Sequence, residues 1–282
     1  MTVDLHLHTT ASDGRLTPTE LVQLAVRRGM KVIAIADHDS TDGIDEAMEA
    51  AKAYPQLTII PSIEVSTDIT DNEVHVLGYF IRYHDAEFQH TLEKLRASRI
   101  TRALKMLSKL ENLSVRVKWE RVQELAQGGV VGRLHIAQAV LEGGHVATIQ
   151  EAFSRYIGRR GPAYADREKL TPLEAGQLIV RVGGLPVLAH PADIDDIDGL
   201  ILEMKSTGMV GMEVYYSGYD RETIQRLLAT ARRHDLIPCG GSDYHGLEND
   251  PEKELGIVAV PMESVQQLVA LAERSMEEAV DP

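Results

Sequence analysis

The chain has 282 residues, of which 44% are apolar, so it can bury a large core as one α/β domain or two smaller domains. Its formal net charge of −14 argues against a protein coated for duplex DNA. We find no apolar run of eighteen or more residues and no signal peptide, so we expect a cytoplasmic protein without a membrane partner. The single cysteine, Cys239, excludes an internal disulfide and a cysteine-based zinc site, so a metal ion would be held by His, Asp and Glu.

The first residues predict the start of a metal site. Residues 2–8 alternate as a β-strand does, with apolar side chains on one face and Asp4, His6 and His8 on the other. Two imidazoles that are two residues apart on a strand point to the same side, within reach of one ion. A Ser-Asp-Gly turn follows and adds the carboxylate of Asp13.

Alternating strand and helix patterns follow, which is typical of parallel β/α units. Thr17 and Thr171 are each followed by Pro and then by Glu at the third position, which predicts two capped helix starts. The predicted strands, about seven of them of the parallel type, are residues 2–8, 31–37, 58–66, 73–80, 185–189, 212–216, 237–242 and 256–260. This pattern indicates a (β/α) barrel.

The middle of the chain differs in pattern and in charge. Helical patterns alone run from about residue 85 to residue 157, so we expect a helical insertion at residues 83–165 in a barrel formed by residues 1–82 and 166–282. Residues 82–169 carry 16 Lys and Arg against 10 Asp and Glu, which leaves 13 basic and 33 acidic residues elsewhere. The basic segment suggests contact with an anion. Basic helices that face solvent are the alternative.

Eight side chains with metal-binding chemistry fall at or just past the ends of predicted strands. They are His6, His8, His38, Glu64, His75, His190, Asp243 and His245. A single histidine is more often a core or surface residue, but six in equivalent positions favour a site at the barrel rim, where such folds place their active sites. An all-nitrogen-and-oxygen set suits zinc, manganese or iron, and its size favours more than one ion.

These motifs resemble those of the polymerase-and-histidinol-phosphatase (PHP) superfamily. They are Asp4-x-His6-x-His8-Thr, Ser12-Asp13-Gly14, Ala36-Asp37-His38-Asp39, Glu64, His75, Ala189-His190-Pro191 and Ser242-Asp243-x-His245. The resemblance spans essentially the whole chain and implies an α/β fold, a distorted seven-stranded (β/α) TIM-like barrel. The family carries two or three divalent ions at its rim.

The resemblance also implies three ion sites. His6, His8, Glu64 and Asp243 would hold the first ion, Glu64 with His75 and His190 the second, and Asp13, His38 and His245 the third. Two bridged ions lower the pKa of a shared water and neutralise charge on a phosphate during in-line attack. Either Asp243 or a metal-bound water could protonate the leaving oxygen. Asp4, Asp37 and Asp39 either orient the imidazoles or serve as turn and cap residues.

The insertion carries candidate phosphate-binding residues. Arg96, Arg99 and Arg102 form a basic ridge on the long helix, and Arg133 and His135 open a later helix. This pattern resembles the PHP subgroup that acts on nucleotides with 3′ and 5′ phosphates, in which the insertion caps the barrel. The resemblance implies a 5′-phosphate clamp by Arg99 and Arg133, with His135 also binding substrate. The other ridge arginines are interpreted as surface charge.

The leading hypothesis is a metal-dependent phosphoesterase that removes the 3′-phosphate of a 3′,5′-bisphosphonucleotide. The alternative within the superfamily is a 5′-to-3′ exoribonuclease on short 5′-phosphorylated RNA, and one enzyme could do both. A non-catalytic PHP domain that binds an accessory partner is the alternative of another class. Such domains tend to lose ligands, whereas all nine positions here carry a competent one. We therefore expect an enzyme that needs no obligatory protein partner.

Overall fold

The computed structural model describes residues 2–69, 72–246 and 254–280. Seven strands form one sheet in chain order. They are β1 (Val3–Leu7), β2 (Val32–Ile35), β3 (Thr58–Ile69), β4 (Asn72–Tyr79), β5 (Leu185–Leu188), β6 (Gly211–Tyr216) and β7 (Ile237–Gly241). After β7 the chain returns to β1, where His8 donates its backbone N–H to the Tyr244 carbonyl at 3.0 Å and Ser242 donates its N–H to Asp4 at 2.8 Å. The sheet is therefore a nearly closed barrel, as expected.

Ten α-helices surround the barrel or form the insertion in the described part of the chain. They are α1 (Pro18–Arg27), α2 (Ile44–Ala51), α3 (Ala86–Asn112), α4 (Trp119–Ala126), α5 (Arg133–Glu142), α6 (Ile149–Ala152), α7 (Pro172–Arg181), α8 (Ile197–Lys205), α9 (Arg221–Arg233) and α10 (Met262–Val280). The capping boxes predicted at Thr17 and Thr171 are both present, with Glu20 and Glu174 as the reciprocal acceptors. In the described ranges, none of the helices combines the length and apolar character needed to cross a bilayer.

Two strand predictions were wrong. Strand β4 runs antiparallel to both β3 and β5, because only two residues separate Ile69 from Asn72 and a parallel crossover needs a dozen or more. Residues 256–260 form no strand. Gly256 donates its N–H to the Asp4 carboxylate at 2.8 Å, and β7 already lies beside β1, so no sheet edge is left there for this segment.

Helix α3 joins the barrel to the inserted helices. Phe88, Leu92 and Leu95 in its first half are buried in the cluster formed with β3, β4 and α7. Its second half packs in a separate cluster with α4, α5 and α6, in which Met106 and Leu110 are fully buried. The long helix thus holds the inserted helices against the end of the barrel that carries the histidines.

Candidate active site

The structure brings all nine predicted metal ligands together at one rim of the barrel. Glu64 lies at the centre, with its side chain 1% exposed. Five imidazole nitrogens surround its two oxygens: His6 Nε2 at 3.4 Å, His8 Nε2 at 3.4 Å, His38 Nδ1 at 2.8 Å, His75 Nδ1 at 2.8 Å and His190 Nε2 at 3.1 Å. A single carboxylate between so many imidazoles is suited to bridging two ions.

His75 reaches this rim for a different reason from the one expected. It lies in the first half of β4, opposite Ser66 of β3, and does not follow the end of its strand. Because β4 is antiparallel, its beginning lies beside the carboxyl ends of the neighbouring strands. The position of His75 in the cluster therefore depends on the reversed strand.

A second group of ligand atoms surrounds Asp13. Its Oδ1 lies 3.3 Å from His245 Nε2 and 3.9 Å from His8 Nδ1, and its Oδ2 lies 3.9 Å from His38 Nε2. Asp243 Oδ1 lies 3.1 Å from His8 Nε2, so His8 stands between the two groups. The ligand atoms of His8 and His38 approach more than one of the three predicted sites.

The geometry fits metal ions. Ligand atoms that share an ion at about 2.1 Å lie about 3.0 to 3.4 Å apart. His8 Nε2 lies 3.1 Å from Asp243 Oδ1 and 3.4 Å from Glu64 Oε2, and His6 Nε2 lies 3.4 Å from the same Glu64 oxygen. Buried site atoms without a hydrogen-bond partner, within the ranges described, are His6 Nε2, His8 Nδ1 and Nε2, Asp13 Oδ1, His38 Nδ1 and Glu64 Oε2. Such atoms are costly unless a ligand engages them, so they indicate a bound cation.

The electrostatics of the cluster agree with this interpretation. Burial lowers the pKa of His8 to about 3, and His245 and His38 act in the same direction. Burial opposes ionisation of Glu64, but the surrounding imidazoles outweigh it and hold the pKa of Glu64 well below its usual range. The pKa of Asp13 is likewise held well below its usual range, against its burial, by His38 and His245. Against their burial, nearby carboxylates raise the pKa of His75 to about 9 and that of His6 well above its usual value. Since metal ions bind neutral imidazole and ionised carboxylate, a bound cation would displace these protons.

The acids expected to orient the imidazoles contact other groups. Asp37 accepts hydrogen bonds from the Thr9 N–H at 2.8 Å, the Thr9 hydroxyl at 2.7 Å and the Ser12 hydroxyl at 2.5 Å. Asp4 accepts from backbone N–H groups, and Asp39 from arginines and a backbone N–H. These three acids therefore fix the turns that carry the candidate ligands. This agrees with their interpretation as turn and cap residues and not with a role in orienting the imidazoles.

Two residues that the sequence interpretation missed contact the ligands. Glu213 on β6 is fully buried, and its oxygens lie 3.1 and 3.2 Å from His6 Nδ1. Tyr216 at the end of β6 donates its hydroxyl to Asp243 Oδ2 at 2.6 Å. A signal for Glu213 was available, because an acid in the apolar strand Gly211-Met212-Glu213-Val214 needs a buried partner.

A cavity of about 140 Å³ adjoins the cluster of candidate metal ligands. Asp13, His38 and His75 line it on the barrel side, and the inserted helices contribute arginines. Those arginines are Arg99, Arg102 and Arg133. The cavity therefore joins candidate metal ligands to cationic groups that can bind an anion.

The three arginines differ in their partners. Arg99, 4% exposed, donates from Nε to Asp39 Oδ2 at 2.7 Å and from a terminal nitrogen to the Ser66 hydroxyl at 2.8 Å. Arg133 forms an ion pair with Glu73. Arg102 is 3% exposed, so its interpretation as surface charge was wrong. Over the described ranges Arg102 has no carboxylate within ion-pair distance, and its Nε is buried without a hydrogen-bond partner.

Burial and the charges of nearby arginines lower the pKa of Arg102 well below its usual value. Its cation is thus poorly stabilised by the protein itself, and an anion in the cavity would stabilise it. At the start of α5, His135 accepts a hydrogen bond from the Gly132 N–H at Nδ1 over 3.1 Å. His135 thereby caps the helix whose first residues line the cavity.

Comparisons with known proteins agree with the fold and bear on the family. The sequence profile of the family described as PHP domain matches residues 4–163. A 5′-3′ exoribonuclease from Haemophilus influenzae is 34% identical over 246 residues, which cover 86% of this chain and 89% of that protein. A 3′,5′-nucleoside bisphosphate phosphatase from Chromobacterium violaceum is 30% identical over 248 residues, which cover 86% of this chain and 87% of that protein.

The solved structure of a candidate metal-dependent phosphoesterase from Bifidobacterium adolescentis superposes with a TM-score of 0.88 at 30% identity, covering 96% of each chain. The match therefore extends over nearly the whole barrel and the inserted helices. One assignment follows from the fold of this chain, from its cluster of histidines and acids, and from its relatives. The chain belongs to the PHP domain family and is a metal-dependent phosphoesterase.

Proposed function

We propose that this enzyme removes the 3′-phosphate of a nucleotide that also carries a 5′-phosphate, with 3′,5′-bisphosphoadenosine as a representative substrate. The observation that carries the proposal is the cavity in which Arg99, Arg102 and Arg133 adjoin the ligand cluster. One phosphate would lie at the ligand cluster and the other at the arginines. The Chromobacterium violaceum relative, named for this activity, supports the choice.

The nine rim residues are the proposed metal ligands. Glu64 would bridge the ion held with His6, His8 and Asp243 and the ion held with His75 and His190. Asp13, His38 and His245 would hold a third. Divalent ions such as Mn²⁺, Fe²⁺ or Zn²⁺ would supply a water of lowered pKa and neutralise the charge of the phosphate. Tyr216 fixes one oxygen of Asp243 by its hydrogen bond, which orients the other toward His8.

The inserted helices, residues 83–165, are the proposed substrate cap. Arg99 is held in place by Asp39 and Ser66, whereas Arg102 has no such partner among the described residues and is free to bind the 5′-phosphate. Arg133 would join them from the start of α5, where backbone N–H groups also favour an anion. His135 would support the clamp by fixing that helix start.

A second candidate function is 5′-to-3′ hydrolysis of short 5′-phosphorylated RNA. The 34% identity to the Haemophilus influenzae exoribonuclease favours it. In both reactions the ester at the 3′ oxygen is hydrolysed at a fixed distance from a bound 5′-phosphate, so the same arginines would serve. The two substrates differ in whether a further nucleoside is attached to the 3′-phosphate.

The test compares phosphate release from 3′,5′-bisphosphoadenosine with nucleotide release from a 5′-phosphorylated pentaribonucleotide, using Mn²⁺-loaded enzyme. The matched substrates are 3′-AMP and the same pentaribonucleotide with a 5′-hydroxyl. We expect activity that depends on the metal and favours the 5′-phosphorylated member of each pair. Equal kcat/KM within both pairs would refute the clamp, and a metal-free purified protein that fails to take up ions would refute the enzyme.

A further inference from the structure

Glu213 is a buried carboxylate with two hydrogen-bond donors directed at it. It lies on β6 with 0% exposure, between Met212 and Val214, which are also fully buried. His6 Nδ1 is 3.1 Å from one oxygen and 3.2 Å from the other. The backbone N–H of His190 donates to Oε2 at 2.9 Å. No Lys or Arg forms an ion pair with Glu213 within the described ranges, so these two donors are its principal partners.

The contact with His6 selects one form of the imidazole. A carboxylate can only accept, so Nδ1 carries a hydrogen and Nε2 is the nitrogen left to coordinate an ion. That Nε2 points to Glu64 at 3.4 Å and to Asp243 at 3.6 Å. Glu213 thus turns the metal-binding nitrogen of His6 toward the first proposed ion.

The contact with His190 fixes a backbone that is otherwise unfavourable. His190 has φ of +26°, a value that residues other than glycine rarely adopt. Its N–H bond to Glu213 holds the turn after β5, and its Nε2 then lies 3.1 Å from Glu64 Oε1. His6 approaches the other Glu64 oxygen, so the two histidines contact different oxygens of the proposed bridging carboxylate.

We propose that Glu213 is the positioning residue that orients one ligand of each of the two bridged ions, His6 through its side chain and His190 through its backbone. The proposal rests on the ligand assignments of the proposed function. It requires a carboxylate and not only a polar group of the same shape, because both partners donate. A glutamine whose oxygen accepts from His190 keeps one acceptor 3.2 Å from His6 Nδ1, but its NH₂ group replaces the other oxygen, 3.1 Å away, and donates toward the same nitrogen. The amide thus favours a His6 that carries its hydrogen on Nε2, where the ion should bind.

The test is metal binding by metal-free full-length protein, titrated with Zn²⁺ against a competing chelator. Loss of a group that orients a metal ligand weakens affinity about 10- to 100-fold, and we expect this loss in Glu213→Gln. Glu213→Asp keeps two acceptor oxygens on a shorter side chain and should recover part of the affinity. Tyr79→Phe is the matched control, since it removes another buried hydrogen bond, to the Leu5 carbonyl at 3.0 Å, without touching an imidazole.

A second measurement separates orientation from a general loss of stability. Long-range ¹H–¹⁵N spectra of the imidazoles report which ring nitrogen carries hydrogen. In Zn²⁺-loaded parent protein we expect His6 to carry it on Nδ1, and in Glu213→Gln at the same Zn²⁺ concentration on Nε2. If Glu213→Gln fails to fold, Glu213→Asp decides the question, with weaker Zn²⁺ binding than the parent and an unchanged Nδ1–H.

The outcomes are distinguishable. A parent protein that binds no Zn²⁺ would overturn the proposed function itself. A parent that binds Zn²⁺, with a folded Glu213→Gln binding equally well, would overturn the assignment of Glu213 alone. If only Glu213→Asp folds, equal binding by that variant would overturn it. An equal loss in Tyr79→Phe would likewise overturn it, because any disturbance of this part of the core would then suffice.

Discussion

Replacement of Arg102 by methionine is expected to weaken recognition of the 5′-phosphate and to stabilise the fold. The guanidinium is 3% exposed, and within the described ranges it has no ion pair. Methionine keeps most of the unbranched apolar stem that α3 packs beside Ala103 and Met106, but removes the charge. Substrate binding and stability should therefore change in opposite directions.

The magnitudes follow from the contacts. A hydrogen bond from a charged donor contributes about 1.5 to 3 kcal/mol, so loss of the contact to phosphate should reduce kcat/KM about 10- to 150-fold. An unsatisfied buried polar group costs about 1 to 3 kcal/mol, and its removal should raise the free energy of unfolding by a similar amount. Both effects have the same origin, a cation that only a bound anion satisfies.

The assay measures kcat/KM for 3′,5′-bisphosphoadenosine and for 3′-AMP in Mn²⁺-loaded enzyme, together with urea unfolding of the metal-free protein. The loss should appear only with the substrate that has a 5′-phosphate. Arg96→Met is the control, since Arg96 is on the same helix but partly exposed and 3.8 Å from Asp42. A parent-like preference for the 5′-phosphate in Arg102→Met, or a loss of stability, would refute this reasoning.

Three further predictions concern neighbouring groups. Burial lowers the pKa of His135 to about 4 from an ordinary 6.5, so the folded state binds fewer protons. The free energy of unfolding should therefore fall by about 3 kcal/mol as the pH falls from 6.5 to 4. His135→Gln keeps an acceptor for the Gly132 N–H, and its free energy of unfolding in urea should lose this part of the pH dependence. An unchanged pH dependence in the variant would contradict the prediction. Tyr216→Phe should lower kcat about tenfold with little change in KM, because it removes the hydrogen bond to Asp243; an unchanged kcat would exclude this role. Glu64→Gln should bind fewer ions per chain by elemental analysis, and parent-like metal content would exclude a bridging Glu64.

The strands and the rim cluster were largely predictable because their signals are local. Alternating or near-continuous apolar patterns marked the seven strands, and polar residues such as His38 and His190 followed shortly after buried strands ended. The direction of β4 was also predictable, because only six residues lie between the predicted strands 58–66 and 73–80, and a parallel crossover needs a dozen or more. The structure shortens this connection further, since β3 runs twelve residues.

The burial of the arginines could have been predicted from the periodicity of α3. Leu92, Leu95, Arg99, Arg102 and Met106 follow one another at spacings of three and four, so the two arginines occupy positions of the buried stripe. Arg99 was interpreted as a phosphate ligand and Arg102 as surface charge, because charge was given more weight than position. Periodicity could not predict the hydrogen-bond partners of Arg99, because Asp39 and Ser66 are distant from it in the sequence.

The difference between Arg99 and Arg102 connects stability to function. Arg99 forms an ion pair inside the protein with Asp39, which also pairs with Arg167 and lies next to the proposed ligand His38. It can therefore hold the inserted helices against the rim whether or not substrate is bound. Arg102 lies one turn farther along α3, where Arg99, Arg133 and Arg167 all disfavour its charge. A cation kept in such a position lowers stability unless an anion enters the cavity. Solvent reaches only a small part of the Arg102 guanidinium, which has no anionic partner within ion-pair distance among the described residues. The basic insertion in this acidic chain is therefore best explained by an anionic substrate.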